Sequence, residues 1–169
     1  YIAPSPGNVA NTETWDGTNW TAGNAANTAR SLVAGFGVYN SALATGGTPG
    51  TSNVESWNGS AWTETTDMPA NKRNGGGAGT TTSGLVYGGN ADPTGTRVNT
   101  TYEWDGSSWT DGGNMNTARR YLGGCGIQTA ALGIAGYVGG GTPGYRALVE
   151  QYDGTSWTEI ADLNTARIL

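Results

Sequence analysis

The chain has 169 residues, eight Lys and Arg against thirteen Asp and Glu, a net charge of −5 and only 12% charged residues. That length excludes two large domains, and an acidic chain whose one lysine is Lys72 offers no basic track for nucleic acid. With no His and a single cysteine, Cys125, imidazole catalysis, a thiolate metal cluster and an internal disulfide are excluded, and no cofactor is implied.

Taken in chain order, the predicted elements repeat. After YIAPSPG, the segment TETWDGTNWT reads as two short strands joined at Asp16-Gly17, and Arg30 follows in the string NTAR. The second unit runs from Arg30 through SALATGG, closing on Gly46 and Gly47, to VESWNGSAWT with its turn at Asn58-Gly59, and then to Arg73. The third passes through LVYGG, closing on Gly88 and Gly89, to TYEWDGSSWT with Asp105-Gly106, and then to Arg119. The fourth passes through AGYVGGG, with Gly139, Gly140 and Gly141, to VEQYDGTSWT with Asp153-Gly154, and then to Arg167.

The aromatics Trp20, Trp62, Trp109 and Trp157 recur at intervals of 42, 47 and 48 residues, with an Arg ten or eleven residues after each. The units are 1–29, 30–72, 73–118 and 119–166, with 167–169 starting a further strand, and all belong to one array over 1–169. Helical periodicity is absent, so each unit reads as four short antiparallel strands. No apolar run approaches the ~20 residues of a membrane span.

The Asp-Gly and Asn-Gly pairs supply the turn between the third and fourth strands. Across it the aromatics are expected to face each other: Trp15 and Trp20, Trp57 and Trp62, Trp104 and Trp109, Tyr152 and Trp157. Eight Leu, five Ile, eight Val and one Phe make a poor aliphatic core, so seven Trp and eight Tyr are expected to replace it. Those rings would pack on the Gly and Ala face of the neighbouring sheet, because four strands alone bury too little. Glu103, directly before Trp104, falls one residue out of step with Glu13, Glu55 and Glu150, which places it on the opposite face or on a bulge.

An Arg, an apolar strand ending in Gly-Gly, a Glu-x-aromatic strand and a hairpin to Trp, recurring four times, resemble the kelch repeat. That resemblance implies an all-β kelch-like β-propeller of four-stranded blades, about 3.5–4 repeats, read as part of a larger propeller. A closed four-unit ring and an intertwined fibre are the alternatives, and incomplete terminal units leave room for a homo-oligomer in which chains share one ring. Tyr1 matches Tyr137 inside a second strand, and Arg167–Leu169 enter a first strand, so neither end reads as a natural boundary. The compact WDGxxWT and NTAR wording, filled with Ser, Thr, Asn and Gly, is similar to kelch-like arrays in virion and fibre proteins of marine bacteriophages. That implies an extracellular or virion-surface location and, as partners, other proteins of the assembly or host surface glycans.

Each repeated residue has a structural reading. Arg30, Arg73, Arg119 and Arg167 pair with Glu13, Glu55 and Glu150, the Trp pairs form the core, and Asp16, Asp105 and Asp153 make turns rather than a pair of catalytic carboxylates. Copper oxidases with kelch-like blades need His ligands, so Cys125 reads as a small buried residue and the chain as a non-enzyme. Function in such arrays belongs to the irregular connections. The binding candidates are Asp67, Lys72 and Arg73 in TDMPANKRN, Asp92 and Arg97 in NADPTGTRVN, and Tyr145 and Arg146 in TPGYRA. By resemblance these three connections open on one face. Asp92 alone is too few carboxylates for Ca²⁺. The reading is a structural or adhesive module, with a carbohydrate-binding lectin-like propeller and an intracellular kelch-type protein-recognition scaffold as rivals.

Overall fold

The computed structural model describes residues 7–91, 94–140 and 144–169, which are all-β with no helix among them. Strands β1 (Thr12–Trp15) and β2 (Trp20–Gly23) make a two-stranded sheet. Next come β3 (Ala34–Val38), β4 (Ser41–Thr45), β5 (Val54–Trp57) and β6 (Trp62–Thr65), four antiparallel strands in sequence order. After β7 (Lys72–Arg73), the strands β8 (Gly76–Thr80) and β9 (Ser83–Tyr87) precede β10 (Asn90–Ala91), β11 (Thr96–Arg97), β12 (Thr101–Trp104) and β13 (Trp109–Gly112). Of these, β8, β9, β12 and β13 form the next four-stranded sheet, while β7, β10 and β11 form a small one of their own. The chain ends with β14 (Gly123–Ile127), β15 (Ala130–Ile134), β16 (Val149–Tyr152) and β17 (Trp157–Glu159), again four strands in order.

The hairpin chemistry is the same in every unit. Asp16, Asn58, Asp105 and Asp153 each accept two backbone N–H groups two and three residues on, and the following glycines hold φ between +91° and +99°. These bonds hold the Asp16, Asp105 and Asp153 carboxyls below the usual range. The turns fix the register, so Trp15 opposes Trp20, Trp57 opposes Trp62, Trp104 opposes Trp109 and Tyr152 opposes Trp157. Ring centres in these pairs stand 5.5, 5.3, 5.0 and 5.1 Å apart. Glu103 sits on no bulge, since it pairs Thr110 as Ser56 pairs Thr63, and it turns to the opposite face to accept the Tyr152 hydroxyl.

Two apolar layers hold the three four-stranded sheets together. Phe36 and Leu43 of one sheet meet Val86, Tyr102 and Trp104 of the next, and Leu85 and Tyr87 of that sheet meet Ala131, Tyr152 and Trp157 of the last. The edge strands β3, β8 and β14 come close enough to need glycine. A Cβ on Gly77 would stand 2.9 Å from the Gly35 carbonyl oxygen, and one on Gly124 would stand 2.6 Å from that of Gly77. Large rings use the same gap: a Cβ on Gly84 would come within 2.6 Å of the Phe36 ring.

Indole N–H groups stitch the units. Trp62 donates to the Thr12 hydroxyl and Trp157 to the Thr101 hydroxyl, at 2.8 and 2.9 Å. The corresponding residue for Trp109 is Val54, which has no hydroxyl, and Trp109 donates instead to the Thr66 carbonyl at 2.9 Å.

Beneath the sheets lie buried ion pairs. Arg30 meets Glu55 at 2.6 Å and Arg119 meets Glu150 at 2.7 Å, all four side chains at most 2% exposed. Each carboxylate also caps the preceding connection, Glu55 accepting the Asn27 N–H and Glu150 the Asn116 N–H, both at 2.6 Å. Buried charges are tolerable only when satisfied in this way.

Several expectations are corrected. The residue in register with Arg30 and Arg119 is Lys72, not Arg73. Its carbonyl accepts the Gly47 N–H just as Arg119 accepts that of Gly89 and Arg167 that of Gly136, so the third unit opens at Lys72. The same bonds show that Ala135 and Gly136, not Gly139 and Gly140, stand where Gly46-Gly47 and Gly88-Gly89 stand; Gly139 and Gly140 belong to the next connection, and Gly141 lies outside the described residues. Cys125 is exposed rather than buried, because β14 has one side open to a gap of about 270 Å³ shared with the glycines of β3 and β8.

Trp15 and Trp20 are 46% and 60% exposed, whereas Trp57, Trp104, Tyr152 and Trp157 are buried and Trp62 and Trp109 half-buried. Among the described residues β1 pairs only with β2, so nothing corresponding to β4 covers that pair. A cleft of about 380 Å³ opens there between Thr12, Glu13, Phe36 and Leu43, and Glu13 makes no ion pair among the described residues.

Replacing Glu150 by Ala strands Arg119 without its counter-charge and should cost about 3–5 kcal/mol in urea unfolding. Glu13→Ala, at the corresponding but exposed position, should stay within about 0.5 kcal/mol.

Candidate functional site

The residues outside the repeated frame gather where the connections after β4, β9 and β15 meet those that precede β3, β8 and β14. Strand β10 pairs with both β7 and β11, placing Arg73, Asn90 and Arg97 in one cross-strand row on one face. Isolated bridges do the same further on, joining Arg120 to Tyr137, Tyr137 to Tyr145, and Arg146 to Arg167. Two of the three expected connections therefore converge directly. Arg73 and Arg97 share a small sheet, while Tyr145 and Arg146 lie beside Tyr137, which the Arg97 guanidinium reaches at 5.9 Å.

The other candidates separate. Asp67 is exposed just before the buried Met68, Asp92 lies outside the described residues, and Lys72 is 3% exposed and unable to touch a ligand. Lys72 instead does the work of an internal cation. Its ammonium donates to the Gly88 and Thr100 carbonyls at 3.3 and 2.6 Å, as Arg30 donates to those of Gly46 and Asn53. Where Arg30 and Arg119 have a glutamate, Lys72 has the face of Tyr102, 4.5 Å from its ring centre. Tyr102 pairs Asp111 as Glu55 pairs Glu64 and Glu150 pairs Glu159, so cation and counterpart have changed together. Burial pushes the Lys72 amine down to about 7, against an opposing pull from Asp111.

Sequence reasoning missed Arg120, Tyr121 and Tyr137. The Arg120 guanidinium carbon lies 4.9 Å from the Tyr121 ring centre and 5.2 Å from that of Tyr137. The available signal was the doublet Arg119-Arg120, which matches Lys72-Arg73: a buried cation followed by one turned outward. Tyr121 itself holds φ +55°, as Leu32 and Asn74 hold +58°, and a backbone bond from each unit to the one before, Asn74 N–H to Leu32 and Tyr121 N–H to Asn74, secures that strained conformation. Tyr145, 43% exposed, lies beside Tyr137 with ring centres 6.0 Å apart and the rings tilted by 58°.

The result is a surface of guanidinium groups interleaved with tyrosine rings on an otherwise acidic chain. Such a surface binds oxyanions and stacks on flat or ring-shaped ligands. Among the described residues no cluster of three His, Cys, Asp or Glu is placed to hold a metal ion, and no helix is long and apolar enough to cross a membrane.

No family model and no curated protein matches the chain. Among solved structures, YjhT superposes with a TM-score of 0.68 at 11% identity, over 82% of this chain and 53% of that one. The chain thus spans about half the length of YjhT, and the likeness is one of β-fold.

Exchanging the third-unit pair for that of its neighbours tests the internal cation. Lys72→Arg and Tyr102→Glu should each destabilise alone, one leaving a larger cation without its carboxylate and the other burying a new charge. The double variant should recover most of the loss in a double-mutant cycle. In the parent chain the folded state holds the Lys72 amine neutral above about pH 7 while the unfolded chain keeps it protonated up to its ordinary value of 10.5. Stability should therefore rise from pH 7 towards pH 10, and Lys72→Met should remove that component of the slope in urea midpoints taken across the range.

Proposed function

We propose that the chain is a non-catalytic structural and adhesive module of an extracellular or virion-surface assembly, built as a kelch-like propeller segment. What carries the reading is the contrast between two sets of arginines. Arg30 and Arg119 are locked to buried glutamates inside the frame, whereas Arg97 and Arg120 are turned to the connection face against tyrosines. A frame that repeats, with side chains for contact placed only on its irregular connections, is the division of labour of a binding scaffold.

The propeller reading is supported by three four-stranded antiparallel sheets whose first strands approach one another across glycines. The few charges and the abundant Ser, Thr and Asn accord with a hydrated outer surface. A lectin-like role on the same face is favoured by one observation, the exposed Tyr145 ring with Arg146 beside it.

Antibodies raised against the purified chain should label the outside of intact particles from its source, and the chain immobilised on beads should retain host cells or envelope fractions. Labelling seen only after the particles are broken open, or retention unchanged by Tyr145→Ala combined with Arg146→Ala, would count against this reading.

A further inference from the structure

Five of the eight cationic side chains are not part of the buried frame, and two of those are held in an unusual way. Arg97 and Arg120 make no ion pair, and neither guanidinium donates a hydrogen bond, among the described residues. The Nε of Arg120 is even out of contact with solvent and still without an acceptor. What holds both is the ring of Tyr137, at 5.9 Å from the guanidinium carbon of Arg97 and 5.2 Å from that of Arg120. Two like charges gathered on one ring, with no carboxylate paired to either among the described residues, weaken a fold unless something else neutralises them.

The arrangement is built rather than incidental. Gly139, at φ +72°, lets the backbone lie against Arg97, because a Cβ there would come within 2.8–3.0 Å of the guanidinium atoms. Gly144 does the same for Tyr137, where a Cβ would stand 2.6 Å from the ring. Tyr137 is pinned in turn by reciprocal backbone bonds with Arg120, 2.7 Å from its own N–H and 3.1 Å to its carbonyl. Position and orientation are thus fixed before any ligand arrives, which lowers the ordering cost of binding.

We propose that Arg97 and Arg120, seated on Tyr137, form a binding site for the carboxylate or sulfate group of an acidic saccharide. The planar donor forks match a carboxylate or sulfate two oxygens at a time. Tyr121, which Arg120 also covers, and the exposed Tyr145 beside Tyr137 add ring surface for the sugar to lie on. A long polyphosphate would also have to approach a chain of net charge −5, whereas a single carboxylate or sulfate group needs only the two guanidinium groups. The inference rests on the adhesive reading for its biological setting, and on the geometry alone for its chemistry.

Calorimetric titration of the 169-residue chain with a sulfated and a uronate oligosaccharide, against neutral maltohexaose, tests it. The acidic sugars should bind, more weakly as salt is raised, and the neutral one should not. Arg97→Lys and Arg120→Lys keep the net charge but lose the fork, and each should lower affinity about tenfold or more. Gly139→Ala, which removes no charge, should also weaken binding by displacing Arg97, with the thermal midpoint recorded to confirm that the variant is folded. Lysine variants that bind like the parent would overturn the site. Equal binding of inorganic sulfate, polyglutamate or single-stranded DNA would overturn the saccharide assignment. Failure of particle labelling with Arg120-dependent sugar binding intact would remove the adhesive reading and leave the site standing. Retention of cells with no acidic-sugar binding would do the reverse.

Discussion

Everything in this fold depends on a cation that enters each unit from the preceding connection and is buried where the second strand ends and the third begins. Arg30 and Lys72 donate to corresponding carbonyls that flank the second and third strands, Gly46 and Asn53 in one unit and Gly88 and Thr100 in the next, while Arg119 donates to that of Gly133 within β15. Burying a charge in an aliphatic-poor interior is costly, and the cost is offset by the fixed acceptors that the terminal nitrogens find, even though the Arg119 Nε is left without one. In two units the acceptor set includes a glutamate that also caps the incoming connection, so one ion pair ties together three stretches of chain that are distant in sequence. The third unit solves the same problem without a second charge, using the Tyr102 ring and an amine whose proton is held loosely.

Around that anchor the small and the large residues divide the remaining space. Glycines on β3, β8 and β14 let backbones approach within the reach of one another's carbonyls, and Phe36 and Tyr87 fill the volume that the missing side chains leave. The tryptophans then serve twice, as cross-strand partners within a hairpin and as donors to the neighbouring unit. Such a scheme needs few aliphatic residues because rings on glycine bury much area with little lost side-chain freedom. It also explains why Trp15 and Trp20 stand exposed: the pairing within their hairpin is intact, but the layer that would cover them is absent from the described residues.

The hairpins and the aromatic pairs were legible in the sequence because they are local: a Gly at positive φ and an Asp or Asn before it announce the turn, and the turn dictates the pairing. The Arg–Glu pairs were legible because they recur. What misled was treating letters as positions. Arg73 looks like its counterparts but comes eleven residues after Trp62 where the others come ten after their Trp, and Lys72 holds the tenth place. Gly139-Gly140 looks like a doublet, yet Ala135 adopts the left-handed conformation at φ +59° that glycine adopts elsewhere. Cys125 reads in the sequence as a small buried residue because the chain has no His to make it part of a copper site, but β14 has one open side. The platform on Tyr137 could not be read at all, since it joins Arg97 to Arg120 through a ring and leaves no spacing in the chain.

Correcting the register exposes where the array is free to vary. Sixteen positions separate Arg30 from Gly46, Lys72 from Gly88 and Arg119 from Ala135. Eighteen separate Thr12 from Arg30, Val54 from Lys72, Thr101 from Arg119 and Val149 from Arg167. The whole difference between intervals of 42, 47 and 48 residues therefore falls in the connection between second and third strands, which spans eight positions from Gly46 to Val54, thirteen from Gly88 to Thr101 and fourteen from Ala135 to Val149. Constancy follows from the buried cation, whose reach fixes both flanking segments. Arg97, Tyr137, Gly139 and Tyr145 all lie in the two longer connections and meet Arg120 and Tyr121, which follow the buried Arg119 in the constant segment. The candidate site thus joins the stretch where residues can be added without moving a buried charge to the fixed frame beside it, which is where a repeated frame can acquire a function of its own.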